Sequence, residues 1–297
     1  MCDLFGLSCN EEDRATMSLP RFAELFSRQN PQGWGIAYYD DNKAVVVRPQ
    51  AGEPYIAADS PLFSDTIKKA RSTNIISHVR HATHGYKCEL NCHPFTHHRN
   101  GRDWIFAHNG YVMGNLKKHP AAEGDTDSEN IFHQIMDYVD EYMEGDAMHG
   151  LYPALKKAVK RILDDYGKDN INLNFLMSDG NMHYAFSHYD GKPMYMLGRT
   201  KGYGGAVLLS TQKVTDENWQ NIGTDRLLAI NRGEVQFIPT GSELRKFTSC
   251  IFDIYLDIVF CQFHPGFYTL TIFRFYQSDI FHQSLANNES FYLQNLY

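Results

Sequence analysis

The sequence predicts an α+β protein in which antiparallel β-sheets are covered by helices. Three observations support this prediction. Short apolar segments alternate with turn signals, as they do in β-hairpins. Helical segments with recognisable start signals lie between these hairpins. Strands and helices do not alternate strictly, as they would in a parallel α/β protein.

The predicted strands are apolar runs that flank turn residues. These runs are Trp34 to Tyr39, Lys43 to Arg48, Asn74 to Ser77, Ile171 to Ser178, Asn181 to His188, Pro193 to Gly198, Leu227 to Ile230 and Glu234 to Ile238. Asp40-Asp41-Asn42 marks the turn of the first hairpin. The three runs between Ile171 and Gly198 are expected to form one meander, and the last two runs are expected to form another hairpin around Arg232-Gly233.

The predicted helices combine start signals with an apolar stripe at helical spacing. They are Arg21 to Arg28, Leu62 to Arg71, a helix after Asp127, and Leu151 to Tyr166. Ser60-Pro61 is a typical helix start, because serine caps the first turn and proline fits the first helical position.

Length and composition exclude several classes of protein. The 297 residues are 43% hydrophobic and 21% charged with a net charge of −7, which is typical of a globular chain and unfavourable for binding nucleic acid or an anionic membrane. The N-terminus lacks the regions of a signal peptide. Ile251 to Phe263, the longest apolar candidate, is interrupted by Asp253 and Asp257 and does not suit a membrane helix. We therefore expect a cytoplasmic protein with reduced cysteines.

The composition changes after about Gly241. From Phe247 onward the chain has no lysine, few charges and many aromatic residues without clear periodicity. We therefore expect one domain over residues 2–241 and an atypical aromatic-rich C-terminal extension over residues 242–297. Such a segment fits a strand-forming extension, a surface for a partner protein, or an out-of-frame end of the sequence.

Cys2 is a candidate N-terminal nucleophile. Its small side chain permits removal of Met1, which would leave a thiol and a free α-amine on one residue. An α-amine has a pKa of about 7.7–8 and a thiol one of about 8.5, so a modest shift makes the amine a competent proton acceptor near neutrality. Taken alone, Cys2 is better explained as an ordinary small residue at a strand start, so other residues must support its catalytic role.

Three further segments carry residues suited to amide hydrolysis. Arg80 follows a strand and offers a planar guanidinium for a substrate carboxylate. Asn109 and Gly110 supply a side-chain amide and a backbone N–H for an oxyanion, and each such donor contributes about 3 kcal/mol to the transition state. Asp127 opens a helix, and its carboxylate is suited to a substrate ammonium.

Each segment also has a purely structural explanation. Arg80 can pair with a structural carboxylate, Asn109-Gly110 can form a type I′ turn, and Thr126 to Glu129 fits a capping box. The capping box leaves Asp127 free to point outward, so both interpretations hold there. The joint occurrence of the segments, in this order behind an N-terminal cysteine, favours the catalytic interpretation.

The motifs follow one another in a recognisable order. They are Cys2 after Met1, Asn30 to Gly35, Arg80 to Gly85, Asn91 to Phe95, His108 to Gly110 and Thr126 to Glu129. Together they resemble class II glutamine amidotransferase domains, which are N-terminal nucleophile hydrolases. The resemblance spans roughly residues 2 to 240, and Asn30 to Gly35 is most similar to the stand-alone YafJ-like type. It implies a four-layer αββα sandwich of two antiparallel sheets flanked by helices.

The resemblance also implies a function. Cys2 would attack the γ-amide of glutamine or a related γ-glutamyl compound, form a γ-glutamyl thioester and release ammonia or an amine. Asn109 and Gly110 would hold the oxyanion, and no cofactor or metal is implied. The residues implied to bind the substrate are Arg80, His81, Thr83, His84 and Asp127. Better-known members carry Trp where this chain has His81, so the contact made by that side chain stays open.

Alternatives remain at this point. Eight Cys and His residues lie between His78 and His98, although their spacing does not match the paired knuckles of structural zinc sites. A non-catalytic or zinc-binding scaffold is therefore one alternative. The stretch after Gly241 is too short for a domain that binds an ammonia acceptor, so the chain is expected to act as a free hydrolase or as a glutaminase subunit of a separate synthase. Loops such as Lys87 to Arg102 would select the leaving group, which the sequence does not identify.

Overall fold

A computed structural model describes residues 2–83, 85–114, 117–145, 150–199, 205–237, 255–264, 267–276 and 290–292 of the chain. Contacts group the chain into a unit from Met1 to Pro239 and a second unit from Thr240 to Tyr297. The domain boundary predicted after Gly241 lies outside the described residues.

The first unit is built on a seven-stranded and a six-stranded sheet. Their strands are β1 Asp3–Asp13, β2 Trp34–Asp40, β3 Lys43–Val47, β4 Ser72–Val79, β5 Phe95–Arg99, β6 Arg102–Val112, β7 Ile171–Ser178, β8 Met182–Ser187, β9 Tyr195–Arg199, β10 Ala206–Ser210, β11 Gln220–Asn221, β12 Arg226–Asn231 and β13 Glu234–Phe237. The seven-stranded sheet has the order β11-β9-β10-β1-β4-β2-β3, and the six-stranded sheet has the order β13-β12-β8-β7-β6-β5. All of these pairings are antiparallel.

Helices cover the outer face of each sheet. They are α1 Ser18–Phe26, α2 Pro61–Lys69, α3 Asp127–Gly145 and α4 Leu151–Tyr166, together with short 3₁₀ helices at Ala57–Asp59, Glu89–Asn91 and Lys168–Asn170. Residues of α1 and α2, such as Phe22 and Phe63, share a core with the seven-stranded sheet. Residues of α3 and α4, such as Ile135 and Ile162, share a second core with the six-stranded sheet. No helix in the described part of the chain is long and apolar enough to cross a membrane.

The inner faces of the two sheets pack against each other. The Tyr39 hydroxyl of β2 donates to the carbonyl oxygen of Ser178 in β7 over 2.8 Å. Gly6 of β1 faces His183 of β8 so closely that a Cβ at position 6 would lie 2.8 Å from Nε2 of the ring. The unit is therefore the predicted α+β, four-layer αββα sandwich.

The local start signals predicted α2 well and α1 less accurately. The Ser60 hydroxyl accepts a hydrogen bond from the Phe63 N–H over 3.2 Å, and Pro61 is the first helical residue. Helix α1 begins at Ser18 rather than Arg21, so Pro20 lies inside its first turn. Proline is tolerated there because the first N–H groups of a helix have no intrahelical acceptor.

Two strand predictions were wrong. The strands from Ile171 do not form one meander, because β9 leaves β8 and pairs with β10 in the other sheet. The predicted loop Lys87 to Arg102 contains strand β5, which pairs with β6. The β5 segment reads as a polar loop because it has few apolar residues, but pairing with β6 buries Phe95 to 2% exposure.

The second unit has a sheet of its own. Its strands are β14 Tyr255–His264, β15 Phe267–Tyr276 and β16 Ser290–Tyr292, in the order β14-β15-β16 with antiparallel pairing.

Candidate active site

Cys2 lies immediately before β1, which is a central strand of the seven-stranded sheet. Its sulfur accepts a hydrogen bond from the backbone N–H of His81 over 3.1 Å, and its thiol donates to the His81 carbonyl oxygen over 3.2 Å. Burial raises the pKa of the Cys2 thiol, and the His81 N–H opposes that rise because it stabilises the thiolate. The thiol is therefore held in place by backbone atoms of the segment that follows β4.

Asn109 lies in β6 and faces residue 2 from the other sheet. Its side-chain nitrogen donates to the Cys2 carbonyl oxygen over 2.7 Å. Asn174, its cross-strand neighbour in β7, donates to the Asn109 side-chain oxygen over 3.4 Å. That bond fixes the amide with its nitrogen toward Cys2. A primary amide has two N–H groups, so one can hold residue 2 while the other serves a second acceptor.

Gly110 follows Asn109 within the same strand. The strand continues to Val112, so the alternative of a type I′ turn at Asn109-Gly110 was wrong. A Cβ at position 110 would lie 1.8 Å from the carbonyl oxygen of Asn172 in β7. Only glycine fits there, and its position brings the backbone of β6 to the wall of the cavity described below.

Arg80 is 2% exposed and is anchored to the loop that follows it. Its guanidinium donates to the carbonyl oxygens of Tyr86 and Gly85, over 3.2 Å in each case. Its backbone N–H donates to the Gly33 carbonyl oxygen over 2.7 Å, which ties the end of β4 to the segment before β2.

Asp127 is the first residue of α3 and is buried, with 8% exposure. Its carboxylate accepts hydrogen bonds from the N–H groups of Val112 and Ser128, over 3.0 and 2.9 Å. The expectation that Asp127 points freely outward was therefore wrong, because two backbone donors hold its carboxylate at the cavity wall.

The capping box that precedes α3 forms in part. The Thr126 hydroxyl accepts from the Glu129 N–H over 3.2 Å, as the sequence predicted. The Glu129 carboxylate does not bond back to the cap residue's own N–H. It accepts from the N–H groups of Glu123 and Gly124, over 2.9 and 2.8 Å, and so organises the turn before the helix.

One narrow cavity collects most of the predicted site. Its lining residues are Cys2, Arg80, His81, Ala82, Thr83, His93, His108, Gly110, Thr126, Asp127 and Ser128. Asn109 lies directly behind this wall through its bond to Cys2. Thr83 is exposed at the cavity edge. His84, which the resemblance also placed in the pocket, lies outside the described residues.

Buried histidines lie in and next to the cavity wall. The rings of His78 and His93 lie 4.2 Å apart between centroids, and burial holds the pKa of each well below the ordinary value. His108 bonds Asn172 through Nε2 and Ser128 through Nδ1, over 2.9 Å in both cases. A carbonyl oxygen only accepts, so Nε2 carries the proton and Nδ1 accepts from the Ser128 hydroxyl.

The described residues do not assemble a metal site. Within the described ranges, no group of three or more His, Cys, Asp or Glu side chains is arranged to hold a metal ion. Cys88 and Cys92 are both free cysteines. His98 instead pairs with Asp103 over 2.6 Å at the protein surface.

Some residues of the site carried no sequence signal. Asp3, Asn174 and Lys192 all contact the residues that hold Cys2, yet they are ordinary polar residues in no recognisable motif. Asp3 is the chain neighbour of Cys2. The sheet register places Asn174 opposite Asn109, and the chain path after β8 brings Lys192 back to residue 2.

The fold and the site define a class of protein. A cysteine at the start of a central strand, an Asn-Gly pair on the facing sheet and an αββα sandwich are the architecture of an N-terminal nucleophile hydrolase. Residues 1–209 match the profile of the family described as glutamine amidotransferases class-II, and the chain belongs to this family.

The chain is also similar to individual proteins and to solved structures. The chain is 27% identical over 264 residues to an uncharacterized protein of Methanocaldococcus jannaschii, covering 79% of this chain and 70% of the relative. It is 26% identical over 242 residues to YafJ of Escherichia coli, covering 77% of this chain and 89% of YafJ. Its fold is similar to the crystal structure of a predicted glutamine amidotransferase from Pseudomonas aeruginosa, with a TM-score of 0.53 and 22% identity over 80% of this chain and 100% of that chain.

Proposed function

We propose that the chain hydrolyses the γ-amide of glutamine or of a related γ-glutamyl compound, with Cys2 as an N-terminal nucleophile after removal of Met1. One observation carries this proposal. Cys2, Arg80, Gly110 and Asp127 line the same narrow cavity, and the Asn109 amide bonds the Cys2 carbonyl oxygen. Membership of the family supports amide hydrolysis or transfer in general, and the site supports the more specific reaction.

The proposed reaction has two steps. The α-amine of Cys2 takes the thiol proton while the sulfur attacks the γ-carbonyl carbon, and Asn109 and Gly110 donate to the oxyanion. The carbon–nitrogen bond then breaks, the amine returns its proton to the leaving nitrogen, and a γ-glutamyl thioester remains. In the second step water attacks the thioester carbon, the sulfur leaves as the thiol, and glutamate is released.

Substrate recognition would use the two charges of an amino acid. Arg80 supplies a guanidinium for the α-carboxylate, and Asp127 supplies a carboxylate for the α-ammonium. His81, Thr83 and His84 complete the proposed pocket. The cavity is small, about 10 Å³, which is roughly the space for one water molecule. Glutamine therefore fits only if the cavity widens.

The chain is proposed to act as a free hydrolase, because residues 2–237 contain the complete set of proposed catalytic and binding residues. Delivery of ammonia to a separate synthase subunit is the alternative. A reduced thiol is needed in either case, and the cytoplasm maintains one. If glutamine or γ-glutamyl amide hydrolysis appears only after a partner protein is added, the free-hydrolase version is wrong.

The proposal is tested by comparing two cysteine variants of the full chain. Purified protein is assayed for release of glutamate from glutamine and from γ-glutamyl amides. We expect Cys2→Ala to abolish turnover and Cys88→Ala, a matched change at another partly exposed free cysteine, to retain it. Undiminished turnover in Cys2→Ala would refute the proposed mechanism. Absence of turnover in the folded wild-type chain would favour the non-catalytic scaffold, and stoichiometric zinc in that protein would favour the metal-binding alternative.

A further inference from the structure

Lys192 places a cation against residue 2. It lies in the turn between β8 and β9, and its side chain is 11% exposed. The ammonium nitrogen is 2.6 Å from the Cys2 carbonyl oxygen and 2.7 Å from the Asp3 carboxylate. The Cys2 carbonyl therefore accepts two hydrogen bonds, one from Lys192 and one from the Asn109 amide.

The backbone of Lys192 is fixed by the same residue that orients Asn109. The Asn174 side-chain nitrogen donates to the Lys192 carbonyl oxygen over 2.6 Å and to the Asn109 side-chain oxygen over 3.4 Å. The Lys192 N–H donates to the Tyr189 carbonyl oxygen over 3.1 Å. One buried asparagine therefore sets the position of both groups that hold the carbonyl of residue 2.

The counter-ion of Lys192 is also held in place. Asp3 is 1% exposed, and its carboxylate accepts hydrogen bonds from Asn30, Thr211 and Gln212, each over 2.9 Å. Removing two charges from water is costly, and a buried ion pair often contributes little net stability. Stability alone therefore does not explain an ammonium in this place, whereas its effect on residue 2 does.

The ammonium is close enough to act on the chain end electrostatically. The amino nitrogen and carbonyl oxygen of one residue are separated by at most about 3.6 Å, so the ammonium lies within about 6 Å of the Cys2 α-nitrogen. A neighbouring cation disfavours a second positive charge and favours an anion. The Lys192 ammonium therefore opposes protonation of an α-amine and favours the thiolate. Its charge lowers the pKa of the Cys2 thiol, although burial raises that pKa by more.

Other charged or titratable groups surround residue 2. They are Asp3, Arg80, His81, His93, His108 and Asp127. Asp3 opposes Lys192, because its carboxylate raises the pKa of the Cys2 thiol by more than the Lys192 charge lowers it. Lys192 differs from these charged groups because its ammonium also bonds the backbone of residue 2, at the Cys2 carbonyl oxygen.

We propose that Lys192 is a positioning residue for this reaction. Its ammonium holds the Cys2 carbonyl and favours the thiolate of Cys2, the form that attacks the γ-carbonyl carbon. This inference rests on the proposed function, because only a nucleophilic Cys2 needs its thiolate to be favoured.

The test measures the reactivity of Cys2 and does not require turnover. Full-length wild type, Lys192→Met and Lys192→Arg are alkylated with iodoacetamide from about pH 6 to about pH 9, and labelling of Cys2 is followed by peptide mass spectrometry. Intact mass first establishes that each variant has lost Met1. We expect Lys192→Met to shift the midpoint of the pH profile upward by about one unit and to slow labelling near neutrality about tenfold. Lys192→Arg, which keeps the charge, should restore most of the rate.

A wild-type pH profile in Lys192→Met would overturn the proposal. If that variant does not fold, Lys192→Gln serves in its place, because it keeps a donor for the Cys2 carbonyl and removes only the charge. A Lys192→Gln profile equal to that of wild type would contradict the electrostatic role, and a shifted profile would support it. Failure of the proposed function would look different. The protein would then hydrolyse no γ-glutamyl amide, although alkylation of Cys2 would still depend on Lys192.

Discussion

The backbone N–H of His81 donates a hydrogen bond to the Cys2 sulfur over 3.1 Å, and the His81 carbonyl oxygen lies 3.2 Å from the same atom. The contact is made entirely by backbone atoms, so it does not depend on the side chain at position 81. His81, at the position where the resemblance implied Trp, is therefore compatible with this contact.

The first prediction concerns this contact. His81→Ala and His81→Trp should change the alkylation rate of Cys2 by no more than about twofold, because neither removes the backbone N–H. His81→Pro removes that N–H, and it should slow alkylation at neutral pH about tenfold, since a hydrogen bond to a charged group contributes about 1.5–3 kcal/mol. An equal loss in His81→Ala and His81→Pro would show that the side chain makes the contact.

The second prediction concerns the oxyanion donor. Asn109→Ala should lower kcat for γ-glutamyl amide hydrolysis by about 10²–10³ and leave KM nearly unchanged, because the donor acts mainly on the charge that develops in the transition state. Steady-state kinetics gives both constants, and thermal unfolding checks that the variant is folded. A rise in KM with an unchanged kcat would assign Asn109 to ground-state binding instead.

The third prediction concerns Arg80. Arg80→Lys should lower kcat/KM for glutamine about 100-fold, because lysine cannot reproduce the planar fork of arginine toward a carboxylate. The same variant should hydrolyse 4-aminobutanamide, which lacks the α-carboxylate, within about threefold of wild type. If both substrates lose activity equally, Arg80 acts only by holding the carbonyl oxygens of Gly85 and Tyr86.

The fourth prediction is the counterpart for Asp127. Asp127→Asn removes the charge but keeps only one acceptor oxygen, so one of the two backbone N–H groups, of Val112 or Ser128, also loses its partner. That structural loss affects every substrate, and the loss of charge affects only substrates with an α-ammonium. The kcat/KM for glutamine should therefore fall about 10- to 100-fold more than the kcat/KM for glutaramate, which lacks the α-ammonium. A loss that is equal for glutamine and glutaramate would mean that the Asp127 carboxylate has only a structural role.

The fifth prediction concerns stability at acidic pH. Burial between the sheets lowers the pKa of His183 to about 3, whereas an unfolded histidine has a pKa of about 6.5. Between these values the unfolded chain binds a proton that the folded chain does not. The free energy of unfolding should therefore fall as the pH decreases below about 6.5, and His183 should contribute about 1.4 kcal/mol per pH unit to that slope.

Urea unfolding of wild type and His183→Leu between about pH 7 and about pH 5 measures this contribution. The variant should lose stability with acid less steeply than wild type by about the amount given above, while the carboxylates and other histidines affect both proteins alike. Identical slopes would mean that His183 is protonated in the folded protein.

Local sequence patterns predicted the parts of the fold that depend on neighbouring residues. The hairpin at Asp40-Asp41-Asn42 and the Ser60-Pro61 helix start depend on turn and capping chemistry, and α4 was predicted from its apolar stripe. The wrong meander has a different cause. The pairing of β9 with β10 rather than β8 is decided by which sheet buries each strand, and a local pattern does not contain that information.

The residues of the site also differ in whether the local sequence could predict them. Cys2, Arg80, Asn109, Gly110 and Asp127 belong to recognisable motifs. All of them line one cavity except Asn109, which bonds the Cys2 carbonyl oxygen. Lys192 is 190 residues from Cys2 along the chain and contacts it only because the turn after β8 returns to the start of β1. The burial of Asp127 was also not predictable from the capping box. One of the donors that fix its carboxylate is the N–H of Val112, which lies on strand β6 and outside the capping box.

The most direct test of the central claim is intact-mass analysis of the purified full-length chain after treatment with a diazo-ketone analogue of glutamine. We expect a mature polypeptide without Met1 that carries a single adduct, which peptide mapping places on Cys2 and which excess glutamine prevents. A chain that retains Met1, or an adduct on Cys88 or Cys92 in place of Cys2, would contradict the account.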